Sequence, residues 1–269
     1  MAKLFTDTAL GEHTRGLLIQ AARTPDDFIL LEAMQHNDIR HACQPIRHTE
    51  SNEVTFQHLT LRFGSNNEQS VYRFDLSDEM RYALDLFGLL LAIKHIKFQQ
   101  ETIIPSLINP LVVPLQAETL LNWEPGHQFL TALYEHHGKA MRDIVPCIQL
   151  FQPHLDPEQL SALLRWLHDA SLAVWVDLRL PTPYLPLLDK TPPAAIKMAQ
   201  MSEDTSFKQG LLPVIRFLRQ NDIDFVAGRV ATQHDLIRFR RLGAGYYFGY
   251  ISDIPTSFSA PRKLKLVQS

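Results

Sequence analysis

Histidine, cysteine and arginine are the residues here whose types and spacing could do chemistry. The chain holds twelve histidines and two cysteines. Glu135-His136-His137 sets a carboxylate beside two imidazoles. It lacks the HExxH spacing that places two histidines one helical turn apart around zinc, so it reads as a solvated helix end. No histidine cluster has ligand spacing, so core and surface histidines are expected and no metal site is predicted. Cys43 and Cys147 lie far apart, match no zinc spacing, and read as buried inert thiols on two strands. Arg229, Arg238, Arg240 and Arg241 put four positive charges within thirteen residues. Helical spacing sets Arg238 and Arg241 on one face. A solvated face and a surface for protein or nucleic acid both stay open there. No nucleophile and base can be placed together from the sequence.

Composition bounds what must position these residues. The 269 residues are 45% hydrophobic and 20% charged, a globular balance that suits one large domain or two small ones. The net charge of −3 argues against broad binding to a phosphate backbone. So sparing a use of cysteine fits a reducing, cytoplasmic setting. The first 25 residues carry charges and no continuous apolar run, so no secretory signal is expected. The longest apolar stretch, Leu84 to Ile93, is broken by Asp85 and Gly88 and is too short to span a bilayer.

Strand and helix patterns alternate along the chain. Strands are expected at 39–46, 54–63, 111–115, 144–150, 172–178, 196–198, 223–226 and 246–251. Helices are expected near 26–34, 78–97, 126–137, 156–170 and 206–220, the last disturbed by Pro213. Asp156-Pro157-Glu158-Gln159 is a strong helix start. Thr232 caps a final helix that Gly243 stops. The loop Pro183-Tyr184-Leu185-Pro186-Leu187-Leu188 is apolar. It reads equally as an exposed partner surface or as a segment folded over the body. Periodicity does not separate a closed barrel from an open doubly wound sheet.

The last of these units decides. Phe225-Val226-Ala227-Gly228-Arg229-Val230-Ala231-Thr232, then Leu242-Gly243, then Phe248-Gly249-Tyr250 and Pro255, resembles the closing βαβ step of the EAL family. Those bacterial domains hydrolyse cyclic di-GMP and end in motifs close to VVAEGVET, LG and QGYLFGRP. Gln44-Pro45-Ile46 and a hairpin ending in Leu61-Arg62 resemble the family's opening. The resemblance implies a TIM-like (β/α)8 barrel over residues 25–256, its first strand antiparallel. Residues 1–24 form an extension, for which a helix and disorder both stay open, and 257–269 form a tail.

The resemblance also implies a site for two divalent ions, held by acidic residues and an Asn at strand ends. Here the signature Glu falls on His58 and the metal-binding Asn on Pro114. The Glu of the LEITE-like strand falls near Cys147. The paired Asp-Asp becomes Asp177-Leu178, and the KID-like Lys and Asp become Lys197 and Ala199. The Glu of the AEGVE-like loop falls on Gly228, and the Gln of the last strand on Phe248. Gln44, Arg62, Asp177 and Lys197 remain as candidates for residual ligand binding, and Asp177 and Lys197 are expected to pair with each other. The expected function is that of a degenerate EAL protein with no phosphodiesterase activity and no cofactor. Such proteins bind a regulatory protein, for some a transcription-factor subunit, and control motility or biofilm genes. Two alternatives stay open: a cyclic di-GMP receptor without hydrolysis, and an RNA-decay adaptor using Arg238, Arg241, Arg262, Lys263 and Lys265. A homodimer stays open as well.

Overall fold

The chain's first ordered turn is set by a cap. Thr6 accepts from the Ala9 amide and opens helix α1 (Asp7–Ala21), which lays Leu10, Leu17 and Leu18 into the core. The computed structural model describes residues 6–36, 38–64, 69–199 and 205–257. A capping box at Thr24 and Asp27 starts α2 (Pro25–Gln35). Strands β1 (Ile39–His48), β2 (Val54–Phe63) and the short β3 (Gln69–Ser70) follow. Ser77 caps the long helix α3 (Asp78–Thr102), which α1 covers. Next come β4 (Leu111–Gln116), α4 (Ala117–Leu121), α5 (Glu124–Met141), β5 (Ile144–Leu150) and α6 (Pro157–Ala170). The chain continues with β6 (Trp175–Leu178), α7 (Leu185–Leu188), β7 (Ala195–Met198), α8 (Thr205–Gln220) and β8 (Asp224–Ala227). It closes with α9 (Gln233–Leu242), β9 (Tyr246–Tyr247) and β10 (Thr256–Ser257).

Eight strands close into a barrel. From β2 through β4 to β9 each strand runs parallel to the next. Strand β1 shuts the ring antiparallel to both β2 and β9. The expected barrel with an antiparallel first strand is what the sheet shows. Because side chains alternate along a strand, each strand has an inner and an outer row. Ile46, Val112, Val145, Trp175, Ala195 and Val226 fill the interior. Phe56 and Tyr246 meet edge to face there, and Phe56 also meets the Trp175 ring. The outer rows and the helices share the larger apolar layer.

Two expectations change in detail, and one open choice closes. The last strand stops at Tyr247 rather than reaching Ile251. Gly249 adopts φ +158°, and a Cβ there would lie 2.1 Å from the Val230 carbonyl oxygen. The chain instead leaves β8 and exchanges backbone bonds with Val230. Helix α8 runs with Pro213 inside it. In the Pro-rich loop Tyr184 and Leu188 are buried, so the loop is folded down at those residues. Arg262, Lys263 and Lys265 lie outside the described residues.

Asp27 fastens the first two helices to the start of α3. Its carboxylate accepts from the amides of Arg23, Thr24 and Ser77 and from the Ser77 hydroxyl, at 2.7–3.1 Å. Burial alone would raise this carboxyl, but the hydrogen bonds outweigh it and hold it below the ordinary value. Asp27→Asn weakens these charge-assisted bonds, and urea melts are expected to show a loss of about 2 kcal/mol at neutral pH. The depressed carboxyl contributes stability above the ordinary carboxylate value. The difference between wild type and variant therefore shrinks as pH falls through the native value. Equal melts at neutral pH would refute this role.

Candidate functional site at the barrel mouth

The inner row of each strand leads upward to the C-terminal mouth, where barrels of this kind place their chemistry. Two residues above Trp175 stands Asp177, and two above Ala195 stands Lys197. Neighbouring register sets them side by side. The Lys197 Nζ lies 2.7 Å from the Asp177 Oδ2, with both side chains no more than 5% exposed. Burial pushes the Asp177 carboxyl above its ordinary value, and the Lys197 charge opposes that push. Lys197 feels burial in the opposite sense, but the Asp177 charge outweighs it and holds the ammonium above the usual lysine value. The two charges answer each other.

An aromatic ring sits beside this pair. Phe248 stacks on the His58 imidazole, ring centres 4.6 Å apart and planes 19° from parallel. The Lys197 Nζ lies 5.8 Å from the centre of the Phe248 ring. Gly228 makes the room: a Cβ on it would come within 3.1 Å of Phe248 and 3.3 Å of the Ala199 Cα. Burial holds the His58 imidazole well below its ordinary value, and the charges of Lys197 and Arg229 push the same way. His58 is therefore neutral at pH 7. Its Nε2 is buried without a hydrogen-bond partner in the structure.

The remaining sequence candidates divide between the mouth and other duties. Gln44 stands directly across from His58 on β1, and its amide donates to the Asp253 carbonyl at 2.7 Å. Asp253 also receives both Nε and Nη2 of Arg47, so the segment after β9 is clipped back onto β1. Arg62 shares the face of His58, higher on β2 and half-buried. Pro114 lies on β4 opposite Cys147 of β5, and burial pushes that thiol up to about 12. Leu178 belongs to the outer row and is buried in the layer between barrel and helices. Two basic residues were not singled out for this mouth. Arg179 follows β6 and lies over the Phe151 ring at 4.1 Å, and Arg229 follows β8 with φ +57°. Both are exposed, and both bear on Asp177. Their positions directly after two inward-leading strands were the available signal.

The sequence matches no family model, and no curated protein matches it significantly. Solved structures do match. The Bacillus subtilis YkuI protein, with an EAL domain and in complex with substrate c-di-GMP and calcium, superposes with a TM-score of 0.69 at 18% identity. That match covers 87% of this chain and 59% of YkuI. The PaMucR phosphodiesterase in its c-di-GMP complex gives 0.70 at 14% identity over 87% of this chain and 98% of its own. The fold is that of EAL domains. Vibrio cholerae LapD, an S helix-GGDEF-EAL chain bound to c-di-GMP, gives 0.69 at 14% identity, covering 85% of this chain and 56% of LapD. This chain thus spans little more than half of two of these EAL-containing structures. Among the described residues no helix is long and apolar enough to cross a membrane.

Proposed function

We propose that this EAL-type barrel binds rather than cuts, and acts as a non-enzymatic regulator whose partner is a protein. The observation that carries the reading is the Phe248 ring on His58, beside a lysine and an aspartate already paired. Hydrolysis of a phosphodiester by paired hard cations needs several carboxylate or amide oxygens converging on one space. Asp177 is committed to Lys197, while Pro114, Ala199 and Gly228 bring no donor side chain. No acid lies between Ile144 and Phe151 or between Asp224 and Gln233. This donor set does not fit two such ions. Support for a protein partner comes from the segment after β9 and from the outer helices. Ile254 is 71% and Tyr250 60% exposed, and Leu212 and Ile237 are exposed too. Control of motility or biofilm genes is the role proposed for such contact.

A second reading, a cyclic di-GMP receptor without hydrolysis, is favoured by Arg179 and Arg229 near the mouth and by the unsatisfied His58 Nε2. The RNA-adaptor reading gains less, because a net charge of −3 favours little binding to a phosphate backbone. Calorimetric titration with cyclic di-GMP, with and without Mn²⁺, followed by product analysis, separates these readings. We expect no linear product under either condition. Heat without product would favour the receptor, and any linear product would overturn the non-enzymatic reading.

A further inference from the structure

On the other side of β1 the sheet holds a second group of chemically capable residues. His41 and Cys43 are two apart, so they share the outer row, opposite to that of Gln44 and Ile46. Helix α3 packs beside it, over β2 and β4. Gly88, Ala92 and His95 form one stripe along it. A Cβ on Gly88 would touch the Leu59 side chain at 3.8 Å, so the helix lies close. His95 thereby reaches β1, and its Nδ1 stands 3.2 Å from the His41 Nε2. One ligand atom from each of His41, Cys43 and His95 lies within 4.8 Å of the other two, and all three residues are buried.

We propose that His41, Cys43 and His95 form a buried thiolate–imidazole site for a d¹⁰ metal ion, Zn²⁺ or Cu⁺. The donor set is soft to borderline, which suits these ions and disfavours Mg²⁺, Ca²⁺ and Mn²⁺. Ligands on such an ion stand roughly 3.3–3.8 Å apart, given bonds of about 2.0–2.3 Å. The two ring nitrogens are already near that separation, and the thiol comes within it by a small side-chain adjustment. Across the hairpin the neighbours are apolar: Leu61 faces His41 and Leu59 faces Cys43, both buried. The histidine–histidine contact links β1 to α3 without the thiol. An ion would employ all three groups and tie the antiparallel strand to α3. The site is separate from the mouth and stands whichever way cyclic di-GMP behaves.

The test uses the full chain, stripped with a chelator and titrated with Zn²⁺, or anaerobically with Cu⁺, against a chromophoric competitor. The two arms tell which ion is held. We expect the wild type to bind one ion per chain, and Cys43→Ser and His95→Gln each to bind it at least roughly 100-fold more weakly. The melting temperature of the wild type should rise by roughly 5 °C with ion at about a hundredfold excess over Kd. X-ray absorption on the loaded wild type should show one sulfur and two imidazole ligands, a readout that does not require the variants to fold. No retention against the competitor, a ligand set without sulfur, or variants that bind as tightly as the wild type would each overturn the site.

Discussion

Lys197→Met is expected to cost about 3–5 kcal/mol of folding stability, because it strands the Asp177 carboxylate in the barrel interior. The methionine occupies similar volume, so the effect comes from charge rather than packing. The lone carboxyl can escape only by taking a proton, and its pKa, already raised by burial, climbs further without Lys197. The variant's native state then holds a proton that its unfolded chain releases above the ordinary carboxylate value. Its stability must fall as pH rises, and at low pH it approaches that of the wild type. The double variant Asp177→Leu/Lys197→Met removes both charges and should regain most of the loss. A double-mutant cycle in urea at neutral pH gives the coupling directly. A Lys197→Met chain within about 1 kcal/mol of the wild type would mean that water reaches the pair, as the mouth of a working site would allow.

That outcome bears on function. In a site that binds hard cations, a strand-end carboxylate must be available to the ion. Here its oxygen lies 2.7 Å from an ammonium, and the neighbouring space holds the stacked rings of His58 and Phe248. In barrels packing lies in the interior rows and the helix layer, while chemistry lies in the strand ends and loops. In the interior below the mouth Phe56 meets both the Trp175 and the Tyr246 rings.

Local signals made much of this frame legible. Strand β5 spans Ile144–Leu150, as its apolar run indicates. The Asp156 side chain accepts from the Gln159 amide at the start of α6. Gly243 ends α9 with φ +98°, the left-handed value that only glycine adopts cheaply. Such features depend on a few adjacent residues. What stayed hidden depends on elements meeting from far apart. His41, Cys43 and His95 have no ligand spacing, since their closeness comes from His95 of α3 reaching β1. The alternation His41-x-Cys43 on one strand face was the only local trace. Phe248 aligned with a family glutamine, but its stacking on His58 requires that β2 and the end of β9 converge inside the ring. In the sequence Asp85 shows only as a break in an apolar run.

Asp85 carries the other large expectation. It lies on α3, fully enclosed, and its Oδ2 accepts from the Gln116 amide at 2.9 Å and the Thr119 hydroxyl at 2.6 Å, at the start of α4. Burial raises its carboxyl from 3.8 to about 7, against the pull of these hydrogen bonds. Below the unfolded value both states hold the proton, and Asp85 adds no pH dependence. Between 3.8 and about 7 the unfolded chain releases the proton while the native state keeps it, so stability falls as pH rises. Above the native value the full loss is in place, at most about 4 kcal/mol at 1.36 kcal/mol per unit. Asp85→Asn keeps an acceptor oxygen for Gln116 and Thr119 and cannot ionise. It should match the wild type near pH 4 and exceed it by up to about 4 kcal/mol near pH 8. Urea melts across that range read the difference. Parallel profiles for the two proteins would show that the native carboxyl titrates at its ordinary value, and that water enters beside α4.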